Sequence, residues 1–397
     1  MEDDLINKPQ PFKEQKEIET KRGDEEDKKE DKKEDKKEES KEENEDEEED
    51  VEIEQIIEIK EEKDLEKIDP NMDRLEINDL KSSKILDKMK STNFQKLEVL
   101  ALNKTGVNTI DFLINNCFKT LIIIELKENG IKSIDKISQI PSNELKVLDL
   151  SLNEIESIQD LTNAKFKNLE ILILSNNKIN EIKPIPEGSF TQLKKLDLSY
   201  NKIKLIDDLN YGSTLKSLES LYLNGNEIEK IAVLKNFPEL KELQLNNNQI
   251  ENIEDLKDAP FKNLEELLLY GNKIKEINSL QNPNFAKLKI LSLGQNEIKV
   301  INILQECAFK ELTKLDLFSN IIDDINILAK IPFKDKIKEL DLSFNKLNNI
   351  KVLLNKENFP KLTDLKIEAN DGLDYSDSSV KDLYDKYNIK YTYNSIL

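Results

Sequence analysis

From residue 97 onward the apolar positions follow a fixed order, L-x-x-L-x-L-x-x-N-x-I-x-x-I-x-x-L, and that order recurs twelve times. One clean copy runs Leu145, Leu148, Leu150, Asn153, Ile155, Ile158, Leu161; the next runs Leu169, Leu172, Leu174, Asn177, Ile179, Ile182, Ile185. The copies begin at Leu97, Leu121, Leu145, Leu169, Leu193, Leu218, Leu240, Leu264, Leu288, Leu312, Ile337 and Leu362, mostly 24 residues apart, with one step of 22 and a few of 25. Within each copy L-x-L alternates with period two, the mark of a short strand with one buried face. One copy cannot bury that face alone, so the copies must stack. Twelve strands at ~4.8 Å each predict a parallel sheet roughly 50–60 Å across. The predicted fold class is an α/β solenoid, a horseshoe with a parallel sheet on its concave face and short helical or irregular convex segments.

Self-similarity at this period is the signature of a leucine-rich repeat. After each strand stands an asparagine: Asn129, Asn153, Asn177, Asn201, Asn226, Asn248, Asn272, Asn296, Asn320, Asn345 and Asn370. Its amide both donates and accepts, so a stacked ladder of them can satisfy backbone groups where the chain leaves the sheet. Thr105 holds the ladder position in the first full repeat. Phenylalanine stands three residues before the first leucine at Phe94, Phe118, Phe166, Phe190, Phe237, Phe261, Phe285, Phe309 and Phe359, which predicts a second spine filling the convex side.

An open stack needs covers at both ends. Residues 71–93 read as an N-terminal cap built on a decayed repeat, with Met72, Leu75, Ile77, Leu80 and Ile85 lying 25 residues before the Leu97 copy. Twelve repeats then fill 94–373. Residues 374–397 read as a capping helix with Val380, Leu383, Tyr384 and Tyr387 on one face, followed by a strand in which Ile389, Tyr391 and Tyr393 alternate.

Charge divides the chain. Residues 1–70 hold 15 Lys/Arg against 32 Asp/Glu, a net of −17 of the chain's −21. Asp24 to Asp50 contains no apolar residue, so 1–70 is expected to be a disordered acidic tail. Within it, Val51 to Ile59 is apolar enough to extend the N-terminal cap or to serve as a docking motif. The acidic start Met1–Leu5 lacks the positive region of a secretory leader, and no stretch reaches membrane-span length. Cys117 and Cys307 sit eight repeats apart, too far for a disulfide. The expectation is a monomer of the cytoplasm or nucleus, with no membrane contact.

Several chemistries lack their residues. There is no histidine and no C-x-x-C, which removes Ser-His-Asp systems and the usual zinc sites. No nucleotide-binding glycine motif occurs. The acidic run Asn370–Asp377 does not keep the EF-hand register. The acidic tail and the absence of a basic stripe argue against nucleic acid. The chain is expected to be no enzyme and to carry no catalytic residue, metal or cofactor.

Binding is expected where side chains leave the strands on the concave face. The residue between the second and third leucines reads Ala101, Glu125, Asp149, Ile173, Asp197, Tyr222, Gln244, Leu268, Ser292, Asp316, Asp341 and Lys366; just beyond the third leucine come Tyr200, Tyr270, Phe318 and Phe344. The candidate partner-binding residues are therefore Glu125, Asp149, Asp197, Tyr200, Tyr222, Leu268, Tyr270, Asp316, Phe318, Asp341 and Phe344. Aromatics with no core position to fill are candidate hot spots. The carboxylates, each solvated, together predict a partner with a basic surface.

Units such as Asn226–Ile231 and Asn248–Ile253, about twelve of them behind an acidic N-terminal tail, resemble the leucine-rich-repeat regulatory subunit of protein phosphatase 1, the S-D-S-twenty-two type. In that family the concave face grips the phosphatase catalytic subunit. The resemblance implies that Asp149, Asp197, Tyr222, Asp316, Phe318 and Asp341 take the matching places here. The repeat is mostly 24 residues rather than that family's 22. The chain also resembles the acidic nuclear phosphoproteins, which join such repeats to a C-terminal acidic tail. The leading expectation is a protein-interaction scaffold, with a chaperone of histones or other basic proteins and a cytoskeletal or ciliary scaffold as alternatives.

Overall fold

In the computed structural model the described residues are 58–164, 166–184, 190–209, 215–355 and 357–387, all within one compact unit, Gln55–Leu397. Residues 1–57, including most of the expected acidic tail, and the expected last strand at 389–393 lie outside them.

Thirteen parallel strands form one sheet in strict chain order: β1 (Arg74–Asn78), β2 (Val99–Asn103), β3 (Ile123–Glu125), β4 (Val147–Asp149), β5 (Ile171–Ile173), β6 (Lys195–Asp197), β7 (Ser220–Tyr222), β8 (Glu242–Gln244), β9 (Glu266–Leu268), β10 (Ile290–Ser292), β11 (Lys314–Asp316), β12 (Glu339–Asp341) and β13 (Asp364–Lys366). The fold is a leucine-rich-repeat horseshoe. The decayed N-terminal repeat supplies β1, which pairs Leu75 with Leu100 and Ile77 with Leu102, the register of a 25-residue offset. In β1 and β2 Leu75, Ile77, Leu100 and Leu102 point into the core, and in each three-residue strand from β3 to β13 the central residue does, at most 3 % exposed. Short 3-10 turns, such as Gln159–Asn163 and Ala232–Asn236, carry the chain back along the other side.

Beyond each strand the asparagine ladder closes the turn. Asn272 Nδ2 donates to Leu245 O and Leu269 O, both at 3.0 Å, and its Oδ1 accepts from Ile250 N–H at 3.0 Å. The same arrangement runs from Asn153 to Asn370, so each third-leucine carbonyl from Leu150 to Leu342 accepts from two successive asparagines. Thr105 reproduces only part of it, donating to Leu102 O at 3.3 Å. Between strand and asparagine the chain passes through a left-handed residue in twelve successive repeats, with φ from 49° to 69°. Only Gly225 and Gly271 there are the residue that favours this region; the others, Leu152, Tyr200 and Phe344 among them, carry a side chain in it.

The nine predicted phenylalanines are all buried, and several neighbours in the spine touch, as Phe94–Phe118 do at 5.7 Å and Phe261–Phe285 at 6.2 Å between centroids. Phe333 joins them, 5.2 Å from Phe309. It stands four residues before Ile337, because that copy carries one extra residue.

The ends differ in part from expectation. The disordered tail was expected to reach residue 70, but Glu62–Lys67 is a 3-10 turn with Ile59, Leu65 and Ile68 in the core. Glu62 fixes it to helix α1 (Ser83–Ser91), accepting from Ser82 Oγ and Lys84 Nζ, both at 2.6 Å. Once three apolar side chains find a surface made by distant residues, local charge no longer decides. At the other end, α2 (Lys351–Leu354) lies under α3 (Ser378–Tyr387), whose Val380, Leu383 and Tyr387 are buried. Tyr387 Oη donates to Leu353 O at 3.1 Å. Tyr375 Oη donates to Ile367 O at 2.9 Å and accepts from Asn370 N–H at 2.7 Å, completing the last turn of the ladder.

Candidate functional site on the open sheet face

Each three-residue strand turns its first and third residues away from the core, so two columns stand on the open face. The third-residue column pairs in unbroken register: Ala101, Glu125, Asp149, Ile173, Asp197, Tyr222, Gln244, Leu268, Ser292, Asp316, Asp341, Lys366. The first-residue column, unremarked in the sequence, begins Val99, Ile123, Val147, Ile171. With Ile173 these form a half-buried aliphatic patch across β2–β5. The signal was available: period two places residues i and i+2 on one face, so both residues flanking the central leucine belong to the site.

The carboxylates in the column have a structural task. Asp149, Asp197, Asp316 and Asp341 each accept, through Oδ1, the backbone N–H two residues on, at 2.9 to 3.0 Å. An aspartate at a strand end can do this because its short side chain mimics a backbone acceptor as the chain turns. The expectation of a solvated carboxylate is corrected at Asp149, which is 5 % exposed. Burial pushes its carboxyl above the ordinary range, although hydrogen bonds from Ser151 and the Lys127 ammonium, 3.5 Å away, favour the charged form. Burial likewise raises Asp341, against the pull of Ser343 and Lys366. Glu125 remains half-buried beside Lys127 at 3.2 Å.

The middle of the face is polar. Tyr222 donates its hydroxyl to Glu242, and Lys195 Nζ lies 4.6 Å from the ring centroid. Burial, reinforced by Glu242, raises the phenol above its usual value. Gln244 Nε2 donates to Glu266 Oε1 at 2.7 Å. Leu268 is half-buried next in the column. Tyr200 is 49 % exposed in the left-handed turn and its ring lies over Gly225, where an added Cβ would meet Tyr200 Cδ1 at 2.5 Å.

The C-terminal part is aromatic. Tyr270 and Phe318 belong to repeats two apart, which parallel strands separate by roughly 10 Å, yet their ring centroids are 6.3 Å apart and their planes differ by 22°. Gly294 stands between them in the intervening repeat. A Cβ there would meet Tyr270 Cδ2 at 2.7 Å and Asp316 Oδ2 at 2.9 Å, so the absent side chain is what lets the rings approach. Phe344 continues the ribbon 5.1 Å from Phe318 and is 48 % exposed. Of the five predicted aromatics, three are thus brought together, while Tyr200 and Tyr222 stand apart from them among β6–β8. Among the described residues no group of His, Cys, Asp and Glu could hold a metal ion, and no helix is long and apolar enough to cross a membrane.

The sequence model of the family described as Leucine Rich repeats (2 copies) matches residues 167–211 and 216–258. No curated protein sequence matches the chain. Among solved structures, the internalin InlF of Listeria monocytogenes is similar at 25 % identity, covering 81 % of this chain and 86 % of that one, with a TM-score of 0.65. A leucine-rich-repeat protein of Leptospira interrogans is 22 % identical over 81 % of this chain and 84 % of its own, TM-score 0.57. The plant peptide hormone receptor RGFR1, solved in complex with RGF2, is 20 % identical over 71 % of this chain and 45 % of its own, TM-score 0.55.

Proposed function

We propose that this leucine-rich-repeat protein is a non-catalytic scaffold that holds a partner protein on the open face of its sheet. Proteins of this fold generally serve protein–protein interaction. The observation that carries the reading is the ribbon Tyr270–Phe318–Phe344. It lies outside the core, and Phe344 sits exposed in a left-handed turn where a bulky side chain costs backbone energy. Packing gives no reason for it; a partner does, since aromatic anchors dominate interface energetics. The aliphatic patch on β2–β5 supplies a second contact region on the same face.

The test is affinity capture from the native cell, followed by a binding titration with the purified partner. Phe318→Ala should weaken the complex about 30-fold, the ~2 kcal/mol of a hot spot. Capture unchanged by Phe318→Ala and by Val147→Lys removes the open face as the site. A phosphatase catalytic subunit as the partner is supported by the resemblance of the repeats and by the acidic–aromatic face, and the captured protein decides it. The basic-protein chaperone reading is supported by the charge of the N-terminal segment. Its bait should lack residues 1–57 rather than 1–70, because Ile59, Leu65 and Ile68 belong to the core.

A further inference from the structure

Building on the open-face reading, we propose that the aromatic ribbon and the two aspartates beside it form a subsite for an arginine side chain of the partner. Tyr270 and Phe318 offer nearly parallel rings, and Phe344 adds a third, largely exposed one. A guanidinium is flat, weakly hydrated and attracted to ring faces, so it suits this surface better than an ammonium does. Asp316 and Asp341 pair in register on β11 and β12, next to the ribbon. Each spends Oδ1 on its own turn, while Oδ2 takes Ser292 Oγ at 2.6 Å in Asp316 and Lys366 Nζ at 3.5 Å in Asp341. A carboxylate oxygen has two lone pairs, so acceptor sites remain.

Two further observations point the same way. The face already shows this chemistry once within the chain, where Lys195 lies over Tyr222. The surroundings are negative: across β6–β13 the two columns carry Asp197, Glu242, Glu266, Asp316, Glu339, Asp341 and Asp364 against Lys195, Lys314 and Lys366, a net of 3 − 7 = −4. Tyr270 senses that field, its phenol raised first by burial and then by Asp316 and Asp341. Gly294 is the device that makes the subsite, since any side chain there drives Tyr270 away from Phe318.

The chain contains no tryptophan, so Phe344→Trp in the full chain gives a single emission reporter on the ribbon. The probe is the acetylated, amidated pentapeptide Ala-Ala-Arg-Ala-Ala, titrated beside the same peptide with citrulline or lysine in place of arginine. A saturable emission change is expected with arginine. Citrulline, which keeps the shape and loses the charge, should bind at least about tenfold more weakly, with lysine between them. Asp316→Asn and Asp341→Asn together, and separately Gly294→Ala, should each lower arginine affinity about tenfold, with far-UV circular dichroism unchanged. Equal binding of arginine and citrulline, or no saturable change, overturns the subsite. If the arginine peptide fails while Phe318→Ala still releases the cellular partner, only this inference falls. If Phe318→Ala leaves that partner bound, the open-face reading falls with it.

Discussion

Replacing Asn272 by alanine tests whether the ladder stabilises the fold through its hydrogen bonds. The substitution removes the acceptor of the buried Ile250 N–H, and orphaning a buried donor costs about 1–3 kcal/mol. Leu245 O and Leu269 O each lose one of two donors but keep Asn248 and Asn296, so each loss is worth about 0.5–1 kcal/mol. Together these give about 3 kcal/mol. Thr105→Ala is the internal control. Its hydroxyl accepts no backbone N–H, and Leu102 O keeps Asn129 at 2.6 Å, so about 1 kcal/mol is expected. For cooperative unfolding of the whole unit, 3 kcal/mol corresponds to about 4 °C at an entropy of about 2.1 cal/mol/K per residue. Urea unfolding followed by far-UV circular dichroism reads both variants against the wild type. An Asn272→Ala variant no less stable than Thr105→Ala would refute the reasoning, and with it the idea that asparagine holds this position for its paired donor and acceptor.

Two more outcomes follow from the buried ionisable groups. Burial pushes the Cys307 thiol up to about 12, so its thiolate fraction at pH 8 is about a thousandfold below that of a thiol at 9.0. Iodoacetamide should therefore label it in native protein at least a hundredfold more slowly than in urea, and a rate within tenfold would contradict the burial. Asp149 has a raised carboxyl, meaning that the folded state favours its protonated form. Its charge thus lowers stability at neutral pH; the penalty vanishes as pH falls below the unfolded carboxyl value near 3.9. Asp149→Asn keeps the Oδ1 that accepts from Ser151 N–H and should unfold at higher urea than wild type at pH 7 but not at pH 3. An unchanged difference between the two pH values would refute the linkage.

The repeats were legible because packing imposes them: the central leucine, the asparagine and the phenylalanine each answer a need that recurs once per turn of the solenoid. What escaped was whatever depends on residues far apart in sequence. Leu65 and Ile68 stand in a charge-rich stretch with no periodicity, and their burial, with Ser82 and Lys84 holding Glu62, is what shows that the stretch docks. Asp149 meets Lys127 of the preceding repeat at 3.5 Å, a partner 22 residues away, although its bond to Ser151 belongs to a D-L-S triplet the sequence repeats. The contact between Tyr270 and Phe318 spans two repeats and hinges on Gly294, a residue that carries no side chain to draw notice. Where sequence named a column, the face was found; where the site depended on which members of a column lean together, geometry was needed.

Near-identical repeats raise a problem that packing alone does not answer, because a strand could pair with the next repeat but one and still bury its leucines. The residue after each first leucine offers a remedy. It reads Lys146, Glu170, Lys194, Glu219, Lys241, Glu265, Lys289, and the native order sets Lys194 on Glu170 at 2.7 Å, Lys241 on Glu219 at 2.8 Å and Lys289 on Glu265 at 2.7 Å. These pairs are exposed, and each adds little to stability. Skipping one repeat, however, sets lysine on lysine and glutamate on glutamate along the whole stripe, turning every small attraction into a repulsion. The stripe thus contributes less to how stable the sheet is than to which order its strands adopt. The alternation ends at Lys289, since Thr313 holds the position in the repeat of Phe318, so it acts on the order of β4–β10 and not on the repeats beyond them.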